Sequence, residues 1–446
     1  MDRALGRGAA SLAVAVAAVA GLASCTDWLG GDSKGPPLPG ERIAVLVGDE
    51  ALKPDQAVAD RRVILPRPYV NEAWPQAGGY PTNAMYHLAL APGIARGWRT
   101  SVGSGIDSDN ALLAMPLVVG NRIFAMDAVS NVGAYEEATG RRIWRTRVTP
   151  REDRDANLGG GIAYDSGVLV AATGFAQVVA LRGENGQELW RVPVPGPVRS
   201  APVVAGGRVF VVTLDNQAIA LSLRDGTRQW SHQAGAEAPG MLGGSGPATD
   251  GDIVVVPYST GDVVGLDAAT GRVRWSDSVV AARRVGGGIG ISDIRGRPVI
   301  DRDMVFVIGS SERMVAVDRG SGARIWERDI GGVDTPWAAG DYVYVLTGNG
   351  EIVCLTRADG LVRWVKGLPR FERPRERKRP IRWMGPALAS DRLLILGSHG
   401  EAWSLSPYDG QLLGAIELRE KLSLPPVIAN GSLYILRNDG DLSTYR

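Results

Sequence analysis

The sequence predicts an all-β fold, an eight-bladed β-propeller of four-stranded antiparallel blades, and three observations carry that prediction. First, a phrase of Gly, three residues and Trp recurs at Gly140 to Trp144, Gly186 to Trp190, Gly226 to Trp230, Gly271 to Trp275, Gly322 to Trp326 and Gly360 to Trp364, every 38 to 51 residues. That spacing is one four-stranded blade. Second, each interval holds short apolar runs separated by turns rich in Gly, Asp, Asn and Thr. Third, the two ends of the chain each hold part of one further blade. A seventh copy, Gly410 to Gly414, has Gly where the Trp would stand.

Residues 246–275 show the plan of one repeat. Gly246-Pro247-Ala248-Thr249 is a short strand of small residues, turned by Asp250-Gly251. Asp252 to Pro257 is apolar enough for a strand buried on both faces, and Thr260-Gly261 turns it again. Asp262 to Asp267 is the third strand, Thr270-Gly271 the third turn, and Arg272-Val273-Arg274-Trp275 the outermost strand. Innermost strands converge on the axis, where small residues fit, and Gly159-Gly160-Gly161, Gly243-Gly244 and Gly286-Gly287-Gly288 fall there. Each outer-strand Trp can pack between neighbouring blades and bury roughly 150–250 Å². The tryptophans therefore read as structural, not as a ligand-binding set.

Seven blades fit between residues 111 and 414, and residues 425–446 supply three strands of an eighth. The missing outer strand is available upstream, at Ala95 to Val102, complete with Trp98. Pairing the two would close the ring with an N-terminal strand and remove the edges that an open sheet exposes.

The first residues read as an address. Arg3 and Arg7 precede an apolar run from Ala9 to Ala23, too short and Ala-rich for a stable membrane span, and it ends in Leu22-Ala23-Ser24-Cys25. This resembles a bacterial lipoprotein signal, which implies that Cys25 is acylated (a palmitate among its chains) and becomes the mature N-terminus. Thr26 stands where Asp commonly marks inner-membrane retention, so the expected place is the outer membrane. The chain is expected to divide into a signal peptide, 1–24; an anchor, tether and extended segment, 25–94; and the propeller, 95–446. Within 25–94, Leu65 to Asn71 and Trp74-Pro75-Gln76 read as an extended segment packed onto the ring.

Removing residues 1–24 takes away Asp2, Arg3 and Arg7 and leaves 47 Lys and Arg against 47 Asp and Glu. That balance gives no basis for bulk nucleic-acid binding. With Cys25 lipidated, Cys354 has no disulfide partner and reads as a small buried hydrophobe. The three histidines, His87, His232 and His399, lie in separate segments, so no metal site of ordinary spacing can be assembled. Gly286 to Gly290 lacks the Lys and helix of a phosphate loop, and Ser245 sits at the start of a blade, not on a nucleophile elbow. No catalytic constellation is present, and neither cofactor nor metal is expected. One charge cluster stands out: seven basic and two acidic residues from Arg370 to Arg382, whose prolines forbid a regular helix and predict a long loop between blades. It is either a solvated loop or a contact for an acidic surface or lipid headgroups.

Val264 to Trp275 resembles the quinoprotein-type (PQQ-like) propeller repeat. Two families share it: quinone-dependent dehydrogenases, and the BamB family of lipoproteins in the outer-membrane β-barrel assembly machinery. Gly97-Trp98-Arg99-Thr100-Ser101-Val102-Gly103-Ser104-Gly105 is similar to the first strand of the BamB family. The resemblance covers about residues 95–446 and implies a non-enzymatic scaffold on the periplasmic face of the outer membrane. Such a scaffold docks on the periplasmic domains of the barrel insertase BamA, assists nascent outer-membrane proteins, and meets the membrane only through its lipid. Two connector loops dock in that family. Their matching places here are Gly240-Met241-Leu242-Gly243-Gly244, which keeps apolar residues but lacks an Arg, and Ser292-Asp293-Ile294-Arg295, where Arg295 reverses a charge. The resemblance thus implies Met241, Leu242, Asp293 and Arg295 as partner-binding residues on one rim. A dehydrogenase would need a quinone at the axis, a calcium held by carboxylate and amide, and a catalytic Asp, and no such set can be matched; the other alternative is an unrelated envelope binding propeller.

Overall fold

The structure, a computed structural model, describes residues 52–446 apart from 151–159, 236–243, 281–292, 311–312 and 419. Cys25, Met241 and Leu242 lie outside the described residues. Eight antiparallel sheets, each with four strands in blade order and the first with Ala73–Trp74 added as a fifth, form the propeller ring. Blades one to seven span residues 117–147, 160–193, 203–233, 248–278, 299–328, 337–367 and 383–417. The eighth joins the strands Val427–Ala429, Ser432–Leu436 and Asp441–Tyr445 to Arg96–Ser101, with Arg96 opposite Tyr445 and Ser101 opposite Asp441.

Burial follows position in the blade. The middles of the second and third strands are mostly apolar and buried on both faces, as in Ile253–Pro257 and in Asp262–Asp267, whose terminal Asp residues are only half-buried. Outermost strands show one face to solvent and carry the charges, as in Arg142–Arg147. Cys354 is fully buried in a third strand and is free, and burial pushes its thiol well above the ordinary range, leaving it inert.

The recurring Gly and Trp form one joint, repeated around the ring. The turn Gly of each copy, Gly140, Gly186, Gly226, Gly271, Gly322, Gly360 and Gly410, has φ between +66° and +74°, a region that disfavours any residue with a Cβ. The Trp of the preceding blade lies against it. A Cβ on Gly271 would come within 2.6 Å of the Trp230 ring, and the same holds for the other six at 2.5 to 2.9 Å. Each indole N–H also donates to a backbone carbonyl of that next blade, from Trp98 to Glu137 at 2.9 Å through Trp230 to Ala268 at 3.1 Å and Trp364 to Pro407 at 3.1 Å. A bulge one residue before each Trp, at Leu189 or Arg274 for example, helps aim the ring at its neighbour.

The missing seventh Trp now has a reason. The strand paired with Asp441–Tyr445 is Arg96–Ser101, which does not follow it in the chain, so no third turn stands there for a Trp of blade seven to meet. A Cβ on Gly414 would find no atom within 4 Å.

Residues 71–91 run around the axis as a collar and touch every blade. Asn71 starts at blade eight, its side-chain amide donating to Ile428 and its carbonyl accepting from Asn430 N–H. Ala73 and Trp74 pair with Val119 and Val118 of blade one, and the Pro75 carbonyl accepts from Tyr164 of blade two. The Gln76 amide brackets Val204 of blade three, donating to its carbonyl at 2.6 Å and accepting from its N–H at 3.1 Å. Pro81 and Thr82 accept from Thr249 and Ile300 of blades four and five. Tyr86 accepts from the Trp337 indole of blade six, Leu88 bridges Ala389 of blade seven, and Ala91 donates to Gly431 of blade eight again. His87 is fully buried beside this path, its Nδ1 donating to Pro66 O and its Nε2 accepting from Asp391 N–H, which fixes one neutral tautomer.

The basic segment differs from its expected form. Phe371–Arg373 and Lys378–Pro380 pair as a hairpin, with Arg377 and Arg379 at φ +50° and +57°. The prolines do exclude a helix, but they sit outside the ladder hydrogen bonds, so a two-stranded ribbon forms.

The joint makes a quantitative expectation. Trp230→Ala should cost about 3–5 kcal/mol of unfolding free energy, as loss of a large buried aromatic does, while Gly414→Trp should change it by less than about 0.5 kcal/mol. Urea unfolding of both variants measures this; equal effects would refute the joint.

Candidate functional site: an arginine-lined axial cavity

The collar meets the far ends of the innermost strands, and the connectors that precede those strands gather at the other end. Between them lies a cavity of about 520 Å³. Its collar side is formed by Trp74, Ala77, Gly78 and Asn83, and its walls by connector residues including Leu112, Met115 and Leu424 and by Trp337 at the start of an innermost strand. Four charged residues line it: Arg295, Arg297, Asp334 and Arg382. They are contributed by the lead-in segments of blades five, six and seven.

Electrostatics there are unbalanced. Burial lowers the Arg295 guanidinium from its ordinary value, and the nearby Arg382 lowers it further, with Asp334 and Asp293 opposing. Burial alone pushes Arg297 down to about 10, so it remains cationic at neutral pH. Burial raises Asp334 to about 6, against the pull of Arg382, the Gly385 N–H and Arg295.

Asp293 and Arg295, assigned to one rim from the sequence, sit in different surroundings. The Asp293 carboxylate is fully buried and accepts from Arg199 Nη2 at 2.6 Å, and Arg199 is itself 1% exposed. Gly244 packs over this guanidinium, since a Cβ there would come within 2.1 Å of Arg199 Nε. Asn216 and Ser259 continue the polar layer, Asn216 Nδ2 donating to Ser259 Oγ at 2.8 Å. The pair thus ties blade three to the connector ahead of blade five, and Asp293 presents no surface to a partner. Arg295, two residues on, lines the cavity. Among the described residues, no three His, Cys, Asp or Glu side chains converge as a metal site would require.

Comparison with known proteins places this architecture. The family described as outer membrane protein assembly factor BamB matches residues 128–366, more than half of the sequence. The chain belongs to the BamB family. It is 28% identical over 272 residues to the outer membrane protein assembly factor BamB of Yersinia pestis, covering 60% of this chain and 69% of that one. Among solved structures, BamB from Moraxella catarrhalis superposes with a TM-score of 0.61 at 19% identity, over 78% of this chain and 98% of that one. Quinohemoprotein alcohol dehydrogenase from Comamonas testosteroni gives 0.64 at 14% identity, over 84% and 80%. At those identities both likenesses speak for the propeller fold that the two families share.

Sequence reasoning singled out Arg295 and, within the basic cluster, Arg382, but missed Arg199, Arg297 and Asp334. A signal was present: Arg297, Asp334 and Arg382 stand two, three and one residues before the innermost strands that begin at Val299, Trp337 and Trp383. In a ring, that position points to the axis.

Asp334 makes the cavity felt in stability. Its folded value, about 6, lies above its ordinary 3.8, so the fold favours the neutral form. That contribution is full below about pH 4 and is lost as pH rises through about 6. Allowing for water in the cavity, the loss is on the order of 1–2 kcal/mol. Asp334→Asn should flatten the stability profile by that amount between pH 4 and 7 in urea unfolding; an unchanged profile would place the carboxyl in water.

Proposed function

We propose that the protein is a non-enzymatic scaffold for outer-membrane protein assembly, held by lipid on Cys25 at the periplasmic face of the outer membrane. Membership of the BamB family across residues 128–366 carries this reading. The scaffold docks on the periplasmic domains of a BamA-like barrel insertase and assists nascent outer-membrane proteins. Apolar Met241 and Leu242 make the contact together with Arg295, and Asp293 acts indirectly by holding its connector through Arg199. Removing a partner from a buried ion pair typically costs about 3–5 kcal/mol, so Asp293 variants would report folding before docking.

The test is affinity purification of the tagged lipoprotein from gently solubilised outer membranes, with mass spectrometry of what is recovered. A BamA-like barrel should come in equal stoichiometry, and Met241→Asp with Leu242→Asp should cut its recovery about tenfold, as loss of anchor residues does. Recovery of the propeller alone, while the rest of the machinery stays together, would sink the assembly role. Undiminished recovery by the double variant would sink the rim assignment.

We also propose that Arg96–Ser101 is the closing strand of the ring. Its pairing with Asp441–Tyr445 is reinforced where the Trp98 indole meets Glu137, and where Glu137 in turn binds Tyr434 and Arg446. Deleting residues 95–102 would leave a bare edge on the last strand and should unfold or oligomerise the protein. A truncated chain that stays monomeric and melts with its parent would refute closure.

A further inference from the structure

Outside the cavity, arginines either meet a carboxylate at ion-pair distance, as Arg145, Arg191, Arg274 and Arg319 do, or donate to backbone carbonyls, as Arg122 and Arg392 do. Among the described residues, Arg295, Arg297 and Arg382 have no carboxylate within 4 Å, although Asp334 stands in the same cavity. Arg295 also keeps its Nε buried without an acceptor. Native structures rarely leave buried donors unmet. Three guanidiniums against one carboxylate give the lining a net charge of +2 when Asp334 is ionised, inside walls otherwise built from Trp74, Leu112, Met115, Trp337 and Leu424.

We propose that the axial cavity is a binding site for a small amphiphilic carboxylate, an anionic head on an apolar body. The planar guanidinium matches a carboxylate through two parallel N–H donors, and Arg297, held in place by its backbone N–H on Thr335 Oγ1 at 3.2 Å, is the principal anchor. Arg295 and Arg382 complete a positive arc. Asp334 limits the total charge and disfavours a dianion such as phosphate. The aromatic and aliphatic walls take the apolar body, and a cavity of about 520 Å³ holds a medium-chain acid or the last two or three residues of a polypeptide. Both carry the same chemistry, a terminal carboxylate beside apolar carbon. This site is independent of the assembly role, so either can fail without the other.

The experiment is calorimetric titration of the full chain in lipid nanodiscs, with empty nanodiscs as the blank. The probes are octanoate against octanol, and N-acetyl-Leu-Phe against its amide. At least one carboxylate should saturate at one per chain and bind at least about tenfold more tightly than its neutral counterpart, the discrimination of one charge-assisted hydrogen bond. Arg297→Gln should weaken it about tenfold, and Asp334→Asn should strengthen it several-fold by removing the opposing charge. Binding of octanoate alone identifies a fatty acid as the source, binding of the peptide alone a polypeptide terminus, and both results support the site. Should Arg297→Gln fail to fold, Arg382→Gln at the exposed mouth takes its place, expected to weaken binding measurably. The proposal is overturned if neither carboxylate saturates at millimolar concentration, if the neutral analogues bind equally well, or if the arginine variants bind like the parent.

Discussion

Everything in this ring depends on an indole lying where no side chain is allowed. A left-handed Gly in the turn of one blade leaves a flat recess, the Trp of the blade before fills it, and the indole N–H finds a carbonyl close by. Each joint buries enough aromatic surface for roughly 4–6 kcal/mol of gross stabilisation, and its geometry fixes one blade against the next. Sheet-on-sheet packing of Val and Ile would tolerate sliding. The joint does not, because the recess is one residue wide and the hydrogen bond has one acceptor. Seven such joints in series set the angles at which connectors reach the axis, so the cavity inherits its shape from the outer rim.

The sequence displayed this joint without displaying its wiring. Gly-x-x-x-Trp is legible as a repeat, but within one repeat the Gly and Trp look like partners of each other. In space, Gly271 belongs to Trp230, one blade earlier, and only the ring shows it. The same wiring explains Gly414, which reads as a lost residue and is in fact a place with nothing to receive one. Residues 71–91 were legible only at Asn71 and Trp74 to Gln76, as extended chain packed onto the ring. Many of their contacts come from backbone carbonyls such as Pro75, Pro81 and Tyr86, and a carbonyl has no spelling in a sequence.

The candidate site was legible in pieces for a related reason. Its charged residues are scattered over three connectors, and neither spacing nor motif links Arg297 to Arg382. Asp293 is the sharper lesson. Its four-residue context is spelled like a docking loop, yet its carboxylate faces Arg199, 94 residues away, with no water between them. Local spelling set the backbone position, and a distant cation set what the side chain does. The cavity reverses this: Arg295 and Arg297 meet a further cation, Arg382, that a different blade carries in.

The collar acts as a gauge. Residues 71–91 leave blade eight and return to it, meeting each blade in turn and folding back in tight turns after Gln76 and Tyr80. Propellers as a class can gain or lose a blade by duplication or deletion of one repeat. Here such an event would put the inner tape out of step, with its hydrogen bonds misplaced on every blade beyond the change. A segment with no sheet of its own thereby ties the number of blades to the length of one strip of chain.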